Sequence, residues 1–94
     1  MTVNKKFFTY ILLTEHNKLY TGYTVDVEKR FKAHESGDAK FTRANKPVKI
    51  MYVSEHDSKS EAMKEEIRIK KLSRLQKDLL INEYQITSNL LNKS

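Results

Sequence analysis

The sequence predicts an α+β domain, a small sheet with helices packed on it, in the order ββαβαα. Three observations carry this. Two runs of β-formers lie close together near the start, split by a short polar turn. A third alternating run follows the single proline. Helix-capping residues at Asp26, Ser58 and Ser73 each open a segment of helical periodicity.

Phe7 to Leu13 is the first strand, with Phe8, Tyr10 and Leu12 on one face and Phe7, Thr9, Ile11 and Leu13 on the other. Apolar residues on both faces predict a strand covered on both sides. Thr14 to Lys18 reads as a turn and Leu19 to Thr24 as the second strand of a hairpin. Gly22 inside that strand weakens it and marks a close approach of backbone or ligand. Asp26 caps a helix to about Ser36, stopped by Gly37, with Val27 and Phe31 packing inward and Arg30 and His34 on an adjacent face. Asp38 to Lys46 is a polar loop, and Val48 to Ser54 alternates as a third strand. Ser58-Lys59-Ser60-Glu61 has capping-box spacing and opens a helix to about Leu72. Ser73 caps a shorter helix through Glu83. Residues 1–83 are therefore read as one domain and 84–94 as a polar tail.

Eighteen Lys and Arg against twelve Asp and Glu give a net charge of +6, which favours a polyanionic partner such as nucleic acid. The basic residues are spread through the periodic segments, as on the face of a folded domain. Cysteine is absent, so neither disulfides nor thiolate zinc sites support the fold, and a reducing cytoplasm is the expected compartment. The apolar runs are too short to span a bilayer, and the first residues lack the apolar segment of a secretory signal. Two glycines are too few for a phosphate-cradling loop, the three histidines have no metal-ligand spacing, and no serine has a nucleophile's setting. No small-molecule cofactor is expected.

Glu66 is the most diagnostic position. Its helical neighbours Ala62, Met63 and Ile69 are apolar, which places a carboxylate on the inward face, where a charge is costly unless a cation meets it. The plain alternative is an ion pair with Lys70. Glu65 is the rival, but its neighbours Glu61, Ala62, Arg68 and Ile69 look like a flank with surface ion pairs. Tyr10 and Tyr20 on adjacent strands read as packing aromatics singly. As a pair beside Gly22 they suit a phenol that loses or relays a proton near a cation. Arg30 suits a phosphate whose charge grows in a transition state, and a solvated helix residue is the alternative. His34 shares that duty or sits on the helix surface. Lys40, Thr42 and Arg43, around Phe41, read as a phosphate-gripping segment or an ordinary polar loop.

Together these residues resemble the GIY-YIG endonuclease superfamily over roughly Phe7 to Leu80, and within it the small stand-alone bacterial branch. Phe8-Thr9-Tyr10 stands where that family has Gly-Ile-Tyr, and Tyr20-Thr21-Gly22 matches its second element. Arg30, His34, the Ala39–Arg43 stretch, and Ser60–Met63 leading to Glu66 and Ile69–Leu72 follow in the family's order. The resemblance implies a three-stranded antiparallel sheet flanked by helices, with Tyr10, Tyr20, Arg30, His34 and Glu66 converging on one face. It also implies one Mg²⁺ or Mn²⁺ on Glu66. Lys40, Thr42, Arg43, Lys70 and Arg74 become the expected nucleic-acid contacts. The expected activity is structure-selective cleavage of DNA, branched or nicked DNA included, in repair or processing by a monomer or weak dimer. A non-catalytic nucleic-acid-binding module on the same fold is the alternative. The asparagine that many members carry after the last core helix is replaced here by Leu72-Ser73-Arg74-Leu75-Gln76-Lys77.

Overall fold

A computed structural model describes residues 5–37 and 45–92. Strands β1 (Phe7–Thr14), β2 (Leu19–Thr24) and β3 (Pro47–His56) form one antiparallel sheet in the order β2-β1-β3. Helix α1 (Val27–Glu35) follows the hairpin, while α2 (Lys59–Lys70) and α3 (Arg74–Asn92) close the chain. The element order is the expected ββαβαα. Lys40, Thr42 and Arg43 lie outside the described residues.

Local chemistry explains each boundary. Asn17 takes a positive φ of 58° in the hairpin turn, a conformation asparagine tolerates better than most side chains. The Asp26 side chain accepts from the Lys29 backbone N–H to start α1, and Gly37, at φ 85°, lets the chain leave it. Ser58 accepts from Glu61 N–H at 3.2 Å. Ser73 and Gln76 cap α3 reciprocally, each backbone N–H donating to the other's side chain at 2.9 and 3.2 Å.

Period 2 along central β1 sorts its side chains onto two covered faces. On one, Ile11 packs with Tyr52 of β3, Ile69 of α2 and Ile81 of α3, and Thr9 donates its hydroxyl to the Ala62 carbonyl at 2.8 Å. On the other, Tyr10 meets His34 of α1. Helices α2 and α3 thus cover the first face and α1 the second.

Two expectations are corrected. The strict alternation read along β3 is interrupted, because the pairing with β1 shifts between Ile11 and Leu12 and again between Leu13 and Thr14. An extra residue at each shift bends the strand, and Met51 and Tyr52 both pack against the Ile11 cluster. Nor does the last helix give way to a polar tail after Glu83. It runs to Asn92, and the Tyr84 ring rests on Tyr52 with centroids 5.3 Å apart.

Candidate active site

The second face of the sheet gathers Tyr10, Tyr20, Arg30 and His34. Tyr10 points from the central strand across its cross-strand partner Gly22. A Cβ at position 22 would lie 2.6 Å from the Tyr10 hydroxyl oxygen and 2.8 Å from Cζ, closer than atoms can approach. Glycine is therefore what lets the phenol lie flat over the edge strand, the close approach that its place in β2 predicts.

Tyr10 Oη is 2.9 Å from His34 Nε2. The His34 ring stands edge-on to Tyr20 with centroids 4.8 Å apart, and the two tyrosine rings are 6.3 Å apart. His34 is fully buried, which sets aside the alternative of a helix-surface residue. The signal was available: Val27, Phe31 and His34 recur at i, i+4 and i+7, one face of a helix.

Burial pushes the Tyr10 phenol up to about 12, partly offset by a hydrogen bond from Arg30, with Tyr20 and Glu66 adding upward pushes. Hydrogen bonding to Tyr10 in turn raises the Arg30 guanidinium. Burial and then the Arg30 charge lower the His34 imidazole, which favours its neutral form. Arg30 can only donate, so the Tyr10 oxygen is the acceptor in that contact. The direction of the Tyr10–His34 hydrogen bond follows the imidazole tautomer, the Nε2 lone pair accepting the phenol proton when Nδ1 carries the ring hydrogen. Among the described residues no carboxylate forms an ion pair with Arg30, which leaves a cation beside two phenols.

Glu66 lies on α2, the helix that covers the first face, yet is near enough for its charge to be felt at the Tyr10 phenol. Its side chain is 18% exposed, so it lies at a boundary and not in the middle of the inward face, Met63 on the same helix being exposed. The Lys70 ion pair is present but long, Nζ to Oε2 3.7 Å. Glu65 is equally shielded, at 17%, and its oxygens are committed. It accepts from Arg68 at 2.6 and 3.0 Å and from the Tyr52 hydroxyl at 3.0 Å. What separates the two acids is the strength of their partners, and exposure does not distinguish them.

Glu66 suits a hard divalent cation. Among the described residues no group of three or more His, Cys, Asp or Glu side chains could hold a metal, so a single carboxylate would share the ion with water and phosphate oxygens, a common arrangement for Mg²⁺. Lys70, exposed, can swing aside. Arg74 stands apart from the cluster: it donates to the Asn17 carbonyl at 2.7 Å and pairs with Asp78 at 3.1 Å, tying α3 to the hairpin turn.

Comparisons with known proteins identify the family. Residues 6–78 match the family model described as the GIY-YIG catalytic domain. A UPF0213 protein of Bacillus velezensis is 45% identical over 84 residues, spanning 88% of this chain and 84% of that one. A UPF0213 protein of Halobacterium salinarum is 49% identical over 72 residues, 76% of this chain and 94% of that one. Among solved structures, the solution NMR structure of a UPF0213 protein from Bacillus halodurans has a TM-score of 0.54 at 41% identity, covering 82% of this chain and 83% of that one. A solution NMR structure of an E. faecalis protein has a TM-score of 0.60 at 32% identity, covering 92% and 93%. With the catalytic-domain model spanning most of its length and its relatives aligning almost end to end, this chain belongs to the GIY-YIG family, the nuclease superfamily that its two tyrosine elements resemble.

Proposed function

We propose that the protein is a metal-dependent DNA endonuclease that hydrolyses phosphodiester bonds, choosing DNA by structure more than by sequence and serving repair or processing in the cytoplasm. One observation carries the reading: two phenols, a guanidinium without a carboxylate partner among the described residues, and a buried imidazole held toward its neutral form meet on one face, with a weakly paired carboxylate near enough to act on the Tyr10 phenol.

Each residue then has a task. Glu66 holds Mg²⁺ or Mn²⁺, which when bound supplies Lewis-acid stabilisation of the phosphate and the leaving oxygen. Arg30 donates to the charge that grows on the phosphate. Tyr20, the less buried phenol, orients the attacking water, and the Tyr10–His34 pair gives that water's proton a path, since Tyr10 can pass its own proton to His34 as it accepts another. Lys70, Lys40, Thr42 and Arg43 add phosphate contacts. Arg74 keeps its tether to Asn17 and takes a lesser share.

A second reading, a binding module without turnover, draws on Tyr10: a phenol pushed up to about 12 is a poor base until something lowers it. Glu66→Gln separates the two. It keeps volume and helix propensity while removing the charge that a divalent ion needs. Under the endonuclease reading the variant folds, still binds DNA, and loses both Mg²⁺ affinity, followed by tyrosine fluorescence, and cleavage of a panel of duplex, nicked, flapped and branched DNA. Unchanged Mg²⁺-dependent cleavage would remove Glu66 from the mechanism. A wild-type protein that binds the panel but cuts none of it under Mg²⁺ or Mn²⁺ would establish the second reading.

A further inference from the structure

Helix α3 is apolar on two opposite sides. Ile81 and Tyr84 face the sheet. Leu75, Leu79, Ile86 and Leu90 are 52–71% exposed. At 3.6 residues per turn these four and Asn82 fall within an arc of about 80°, centred opposite the packed side. From Leu79 to Asn92 only Glu83 is charged, in a chain that is 32% charged overall. Solvated helices are rarely so depleted, whereas the cores of interfaces are.

The spacing identifies the occupant. Leu75, Leu79, Ile86 and Leu90 are separated by four, seven and four residues, a sequence that reads the same in both directions. A two-fold axis passing beside the helix, at the level between Asn82 and Glu83, therefore sets Leu75 of one copy against Leu90 of the other, and Leu79 against Ile86. It also brings the Asn82 amide of each copy beside the Glu83 carboxylate of the other. In an isologous contact residue i meets j and j meets i, and this spacing lets all four apolar side chains meet apolar side chains of a second copy. We propose that α3 is an antiparallel homodimerisation helix, its exposed Leu75–Leu90 stripe covered by the same stripe of a second copy. The contact runs about 22 Å along the helix, at the lower end of specific interfaces, and micromolar affinity is expected. Because the stripe faces away from the sheet, the contact is independent of the nuclease reading.

Sedimentation equilibrium of the full chain, from about 1 μM to about 1 mM, should show a monomer–dimer transition. Leu79→Lys puts an unpaired charge into the contact and should weaken dimerisation about 100-fold or more. Ile86→Glu should do the same. Both positions are exposed in the monomer, so helix content by circular dichroism should be unchanged. Mixing the two variants supplies the orientation test: in the antiparallel dimer the introduced lysine meets the introduced glutamate, and a heterodimer forms where neither variant associates alone. A wild-type chain that stays monomeric throughout, a dimer indifferent to Leu79→Lys, or a mixture that recovers nothing would each overturn the proposal.

Discussion

Tyr10 and Tyr52 lie on adjacent strands, point to opposite faces of one sheet, and are both nearly inaccessible to solvent. Each phenol meets a titratable partner and has an arginine nearby. Around Tyr52 the charges close on themselves. Glu65 accepts from the phenol and from two nitrogens of Arg68, and hydrogen bonding to Arg68 draws the Glu65 carboxyl below its usual range. Around Tyr10 they stay open: the partner is an imidazole that burial holds toward its neutral form, and Arg30 has no carboxylate of its own among the described residues. A closed set is a fastening, since a cation already neutralised has little to offer a phosphate. An open set keeps that capacity and bears the cost of burying polar groups with only partial compensation.

The sharpest way to break this comparison is to truncate the two arginines. Arg30→Ala should lower kcat for DNA cleavage on the order of 10²-fold or more, as loss of an oxyanion donor does. Arg30→Lys should recover part of that, because lysine keeps the charge without the planar fork. Arg68→Ala should leave kcat near wild type and cost about 1 kcal/mol of stability at most, its guanidinium being half exposed. Equal rate losses from Arg30→Ala and Arg68→Ala in steady-state assays would erase the distinction between open and closed sets.

The two sets were not equally legible in the sequence. Tyr10, Tyr20, Gly22 and Arg30 could be placed because hairpin strands have period 2 and Asp26 fixes where α1 begins. The close approach at Gly22 followed from a glycine inside a strand. The Glu65–Arg68 ion pair was legible from its i, i+3 spacing, but its link to Tyr52 escaped, because the pairing of β3 shifts at bulges and an extra residue in a strand leaves no mark on composition. Glu65 and Glu66 could be ranked but not resolved: helical neighbours report which side a residue faces, whereas their difference lies in what each oxygen bonds. The length of α3 was hidden for another reason. A helix with apolar residues on both sides loses the single-face periodicity that announces a helix, so 84–92 read as a tail.

Gly22→Ala sharpens the comparison at the level of packing. The added methyl meets a buried phenol that cannot swing out without leaving His34 and Arg30. Overpacking of this kind costs about 1–3 kcal/mol, read as a lower urea midpoint, and should depress cleavage while the Tyr52 side stays intact. Tyr10→Phe in the Gly22→Ala background removes the hydroxyl that clashes first. It should restore part of the stability and none of the activity. Wild-type stability in Gly22→Ala alone would mean that the phenol has room to move.

The smallest effect is in the pH dependence of folding, where the two sides should separate in sequence. His34 is held below its ordinary 6.5 by burial and by Arg30, so the unfolded chain takes up this proton first. Its contribution to stability is complete above about pH 6.5 and is lost as pH falls through the lower folded value. Glu65 is held below its ordinary 4.5, chiefly by Arg68, so its contribution persists to more acidic pH and is lost only below that value. Urea denaturation at a series of pH values should therefore show one decline beginning just under neutrality and another in the carboxylate range. His34→Gln should flatten the first and leave the second, and Glu65→Gln should do the reverse. If His34→Gln retained the decline near neutrality, the imidazole would not be the buried neutral partner of Tyr10, and the open set would lose its proton acceptor.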